Sequence, residues 1–189
     1  MKTYWPVLGV LAVLVLLIGG CGVSGYNSVV RMDEEVKGAW AQVENQLQRR
    51  YDLIPNLVET VKGVAEQEKD IFIGVAEARN RFSSANGVNE KAAAATMLEQ
   101  ALGRLIAVRE AYPELKSNES FLKLQDQLEG SENRIAVERG RYNETARNFN
   151  AHTRGIPGRF WAALAGLEKA EYFEMDEAAQ EVPQVDFAT

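Results

Sequence analysis

Beyond residue 25 the apolar positions recur at steps of three, four or their sum, the spacing that lines up one face of an α-helix. Val29, Val36, Trp40, Val43 and Leu47 carry it within about 26–51, and Leu57, Val61, Val64, Ile71, Val75 and Phe82 within about 53–85. Leu98, Leu102, Leu105, Ile106 and Tyr112 carry it within about 89–112. A last set, Phe121, Leu124, Leu128, Ile135, Tyr142, Ala146 and Phe149, covers about 118–153. The intervening faces are charged, and no alternating strand pattern competes. The chain is therefore expected to be all-α, with an antiparallel up-and-down four-helix bundle over 26–153.

Local punctuation sets the expected boundaries. Asp52 suits an N-cap, and Pro55 then falls in a first turn where a missing N–H does no harm. Arg49 and Arg50 fall in the last turn of the preceding helix, where cations suit the dipole. One helix running through Pro55 would be ~90 Å long with no partner of matching length, so a turn or sharp bend is expected there. Asn86-Gly87 is expected to stop the second helix and Asn89 to cap the third. Pro113 ends the third, and Ser117 or Asn118 caps the fourth. Gly130 and Gly140 lie inside the fourth, each costing ~1 kcal/mol relative to Ala. Close packing against a neighbour is favoured there over a groove for a partner's backbone.

Residues 154–174 hold a short apolar helix, about Arg159 to Glu168, after Pro157. Its Phe160, Trp161, Leu164 and Leu167 cap one end of the bundle in the favoured reading and lie in a lipid interface in the other. Residues 175–189 are acidic and expected to be flexible.

The amino end is different. From Thr3 to Val30 there is no charge, and Val7–Ile18 is almost wholly aliphatic. Counting Trp5 to Ser24 gives 20 uncharged residues, enough to span ~30 Å of hydrocarbon. This predicts a transmembrane helix with Tyr4 and Trp5 in the interfacial belt. A second reading competes. Lys2, a short apolar core and then Ile18-Gly19-Gly20-Cys21 resemble the lipobox of bacterial lipoproteins, in which the cysteine thiol takes the diacylglycerol. Lipidation at Cys21 is favoured over a plain membrane-helix cysteine. Under both readings residues 1–21 lie outside the folded domain. Gly22–Gly25 is then a tether reaching ~14 Å at most.

Charge and composition narrow the rest. The formal net charge is −6, and without Lys2 the remainder has 20 basic against 27 acidic residues, or −7. That argues against nucleic acid, whose phosphates need a basic face, and against a polybasic grip on lipid. Membrane attachment is assigned to the N-terminus. A single cysteine forms no internal disulfide. With one histidine, His152, a zinc site would have at most two Cys or His donors, and the Glu-x-x-His of di-iron bundles is absent. No metal and no cofactor are expected.

Several polar residues are candidates for a site. Arg49 and Arg50 beside Asp52 and Asn56 suit a carboxylate or phosphate, although helix termination, capping and a local ion pair explain them more simply. Tyr26-Asn27 and Tyr142-Asn143 are expected to meet in a polar contact near the membrane end. Glu68 falls near an inward position and needs an Arg or Tyr partner. Glu34 and Glu35 project about 100° apart on a helix and do not face each other. No nucleophile elbow and no phosphate-cradling loop occurs. The expectation is a non-enzymatic scaffold or interaction module with a protein partner. A ligand-sensing bundle using Glu68, Tyr112 or Tyr142 comes second, and a hydrolase last.

The stretch "YNSVVRMDEEVKGAWAQVENQLQRRYDLIPNLVETVKG" (Tyr26–Gly63) resembles the signature of the LemA family. The likeness continues through Leu102–Asn150 and closes with Ile156-Pro157 and "EYFE" at Glu171–Glu174. The resemblance implies a bacterial protein with an N-terminal membrane segment and an antiparallel four-helix bundle, its molecular function not established. The family is often described with its domain in the cytoplasm. Here Lys2 precedes the apolar run and acidic residues dominate after it, so the positive-inside rule sends the domain out; a cytoplasm-facing domain is the alternative. A homo-oligomer is possible, with no overt seam.

Overall fold

A computed structural model describes residues 5–174; the side chains of most residues between 5 and 18, Trp5 among them, lie outside that description, as do Tyr4 and the acidic tail expected over 175–189. The described chain is helical, with no strand. Helix α1 spans Trp5–Lys62, α2 Lys69–Ser84 and α3 Gly87–Ala107. A 3₁₀ turn, Val108–Glu110, leads to the short α4, Pro113–Lys116. Then come α5, Glu119–Arg154, and α6, Gly158–Ala165. The all-α class stands, but among the described residues α1 runs unbroken from the amino-terminal segment through Pro55, a short α4 is added before α5, and the expected four-helix arrangement over 26–153 is not what the element order gives.

The chain divides into two compact units. The first takes α1 as far as Trp40, α5 from Tyr142, and α6 with the segment to Ala170. The second takes α1 from Ala41, then α2, α3, the short elements, and α5 up to Arg141. In the first unit Val29, Val36, Tyr142, Ala146, Phe149 and Ala162 are buried. In the second, Leu47, Ile54, Leu57 and Val61 of α1 are buried, as are Val75 and Phe82 of α2. Leu98, Leu102 and Leu105 of α3 and Phe121, Leu128 and Ile135 of α5 complete that core. These are largely the positions the periodicity selected.

The turn expected at Pro55 does not form. Pro55 lies inside α1, and Asp52 is an exposed helical residue accepting a hydrogen bond from Gln48 Nε2 at 2.8 Å, not an N-cap. Energetics explain the continuity. An interior proline costs ~3 kcal/mol, whereas each fully buried Leu or Ile contributes ~1.5–3 kcal/mol. Ile54, Leu57 and Val61 are all 0% exposed and stay in phase with Leu47. The chain leaves the helix only after Lys62, where Gly63–Glu68 forms the turn.

Other boundaries move less. Asn86, not Asn89, takes the N-cap position of α3, in extended conformation, and its N–H donates to Glu90 Oε2 at 2.9 Å. Gly87 follows with φ +73°, a conformation glycine adopts without a Cβ penalty. Helix α3 ends at Ala107, and Pro113 instead opens α4. Asn118 caps α5, its Oδ1 accepting from Phe121 N at 3.1 Å. Close packing does not explain Gly130 and Gly140, since a Cβ at either would meet nothing within 4 Å.

At the amino end, no helix among the described residues is long and apolar enough to cross a membrane. Gly22–Gly25 is not an extended tether but part of α1, and Cys21 is a free, exposed residue of the same helix.

Candidate functional site

The most unusual polar arrangement lies within the second unit, where α1, α3 and α5 each contribute charge. Arg50 of α1 is buried, with an Nη1 donating to Glu132 of α5 in a charge-assisted hydrogen bond. Its Nε is buried with no hydrogen-bond partner. Glu99 of α3 stands close enough for its titration to feel both. Burial, then the Glu132 charge, push its carboxyl above the ordinary range, while Arg50 and Arg139 pull it back. Loss of hydration on burial, helped by the neighbouring Glu132 charge, outweighs the two guanidiniums, which is why the half-buried Glu99 resists ionising.

Two further clusters tie the same unit together. The Tyr112 hydroxyl donates to Glu68 Oε1 at 3.0 Å and accepts from Gln67 Nε2 at 2.9 Å. The tyrosine partner Glu68 requires is thus present, joining the turn after α1 to the segment before α4. A cation–aromatic stack lies on α1, α2 and α3: Arg79 sits 4.6 Å over the Tyr51 ring, Tyr51 stacks on Phe82 at 5.5 Å, and Lys91 sits 4.5 Å over Phe82. Such contacts contribute ~0.5–2 kcal/mol each. The hydrophobic period alone gave no sign of this stack, because it depends on which side chains of different helices fall at one level.

The proposed anion site does not assemble. Arg49, Asp52 and Asn56 are exposed, while Arg50 turns inward to Glu132. The residues of that block neither end a helix nor pair locally through Asp52. The Asn56 carbonyl accepts from Thr60 Oγ1 at 2.8 Å within α1.

The tyrosine–asparagine contact also fails, within the first unit. Tyr142 is buried and packs against Trp40 at a centroid distance of 5.3 Å. Tyr26 is 37% exposed and lies fourteen residues up α1 from Trp40, ~21 Å away along the axis. Asn143 follows Tyr142 on α5, half-buried. Glu68 and Tyr112 belong to the second unit and Tyr142 to the first.

The first unit has its own polar clasp, which the sequence did not disclose. The Asn150 side chain donates to Ala170 O at 2.9 Å and accepts from Ala170 N at 2.8 Å. This fixes the segment after α6. Midway along α6, Trp161 lies against α1: a Cβ at Gly25 would come within 2.4 Å of Trp161 Nε1, and one at Gly22 within 3.2 Å of its ring. Trp161 and Ala162 pack inward as a cap should, but Phe160 and Leu164 are each 63% exposed. The capping expectation holds for one face of the helix and fails for the other.

Among the described residues no group of three or more His, Cys, Asp or Glu side chains is placed to hold a metal. Glu34 bonds Lys37 and Glu35 pairs with Arg31, both on the surface of α1. The second unit carries a shallow groove of about 300 Å³ on α2 and α3, lined by Asp70, Ile71, Gly74, Ala78, Met97 and Arg104 among others. Met97 at its edge and Ile73 on α2 are exposed apolar residues.

The family model described as LemA family matches residues 39–187. Among curated proteins, the chain is 28% identical to magnetosome proteins MamQ 1 and MamQ 2 of Paramagnetospirillum magneticum (strain ATCC 700264 / AMB-1), over 79% of this chain and 64% of theirs. It is 27% identical to magnetosome protein MamQ of Magnetospirillum gryphiswaldense, over 78% of this chain and 64% of that one. The chain thus spans a little under two thirds of the length of these relatives.

Proposed function

This chain belongs to the LemA family, and from that premise we propose that it is a membrane-tethered helical scaffold of the bacterial envelope that binds a protein partner and catalyses no reaction. The observation that carries the reading is the distribution of charge. No ionisable side chain other than Cys21 and Tyr residues occurs from Thr3 to Val30, and charged helical faces follow immediately. The apolar stretch directs the chain to the membrane and serves as the tether either uncleaved or, after cleavage before Cys21, through lipid on that cysteine, with the helical units outside the cytoplasm. That the relatives are named magnetosome proteins supports a membrane-associated role. Arg50, Glu68, Tyr112 and Asn150 are engaged between chain segments, so these polar groups serve the scaffold.

The test is photo-crosslinking in living cells from Ile73 and Met97, the exposed apolar residues on α2 and α3. The scaffold reading predicts the same discrete protein adduct from both positions. Absence of any adduct, together with a large thermal stabilisation by one class of small molecule, contradicts it. That second result would favour ligand sensing, because a ligand binding only the native state stabilises by mass action.

A further inference from the structure

We propose that α6 and the residue pair before it make a second, shallow contact with the membrane that holds the tether, seating Ile156, Phe160 and Leu164 in the lipid interface. The inference rests on the tethered reading above and adds a site to it. Ile156 is 97% exposed, and Phe160 and Leu164 are each 63% exposed. Phe160 and Leu164 are four residues apart, so they share one face of α6. Gly158 and Ala162 of the opposite face are buried. The helix is therefore apolar on both sides, and only one side is covered by protein.

The position of that uncovered side identifies its occupant. Trp161 presses on Gly22 and Gly25 of α1, where added methyl groups would come within 3.2 Å and 2.4 Å of its indole. Gly22 lies within the 20-residue stretch Trp5–Ser24 that is long enough to span hydrocarbon, and Gly25 lies just beyond it, in an uncharged segment that continues to Val30. Trp161 thus pins α6 at the level where the tether leaves the hydrocarbon, the depth at which aromatic side chains sit in a bilayer. Arg154 and Arg159 are exposed beside the apolar trio, suited to lipid phosphates.

The experiment uses the full chain carrying Cys21→Ser, so that residues 1–20 stay attached and the introduced cysteine is the only thiol. Leu164→Cys is labelled with a nitroxide and the protein reconstituted into phosphatidylglycerol-containing vesicles. A second label replaces the exposed Glu35, ~15 Å farther along α1 from Gly25, as the water reference. With the protein floating with the vesicles, the label at 164 is expected to collide with oxygen several-fold more often than with a water-soluble nickel chelate. The order reverses at 35. A floating protein whose label at 164 prefers the nickel chelate overturns the contact while leaving the tether intact. A label shielded from both reagents also overturns it, because a second copy or another protein then covers the face. Failure to float with the vesicles removes the apolar-segment tether on which this inference rests, and this inference with it.

Discussion

Glu99 shows how a single residue records the packing of three helices. Its carboxyl is held above the ordinary range first by burial and then by Glu132, against the pull of Arg50 and Arg139. The linkage has a definite sign. An acid whose folded pKa is raised binds more protons folded than unfolded, so stability falls as pH rises from about 4.3, the unfolded value, through the folded one. Above that window the penalty is constant. Glu99→Gln is therefore expected to be more stable than the parent at pH 7 in urea unfolding, with the gain shrinking to nothing below about pH 4. A gain that persists unchanged into acid would assign the effect to something other than ionisation. The sequence did not point to Glu99. It lies on α3, which carries few charged side chains near it in the chain, and the groups that perturb it come from α1 and α5. Glu68 was legible, because an inward glutamate must find a donor, and Tyr112 supplies one at 3.0 Å.

At the scale of elements, α5 was readable nearly to the residue, because its cap, Asn118, and its apolar register agree. Helix α1 was not. A proline is a loud local signal, and the block before it, Arg49 to Asp52, has the composition of a helix end. What decides the outcome is non-local: Ile54, Leu57 and Val61 are buried only if the helix continues past Pro55 in the same phase. The break then falls at Gly63–Glu68, a stretch with weaker sequence signals. If this account is right, Pro55 is tolerated and not required. Pro55→Ala restores a backbone donor within the helix and is expected to stabilise the protein by about 1–3 kcal/mol in urea unfolding, with helix content by circular dichroism unchanged or slightly higher. A loss of stability would mean that the second unit is packed around a bend that the proline supplies. Helix α6 was half legible: its apolar composition gave its existence, but which face is covered depends on two glycines of α1 about 135 residues away in sequence.

At the scale of the molecule, the account depends on the contrast between an uncharged amino end and charged helices. The polar pairs of both units join segments distant in sequence, as Arg50 with Glu132 and Asn150 with Ala170 do. They specify how the helices meet, and the exposed charged faces and the groove on α2 and α3 are where the proposed partner would bind. The direct measurement is alkaline carbonate extraction of cell membranes, made on the full chain and on a chain lacking residues 1–24. Carbonate strips proteins held only at the surface, so the shallow contact of α6 does not retain a chain by itself. The account predicts that the full chain stays in the membrane pellet and the shortened chain appears in the supernatant. A full chain released by carbonate would contradict the tether on which the proposed function rests.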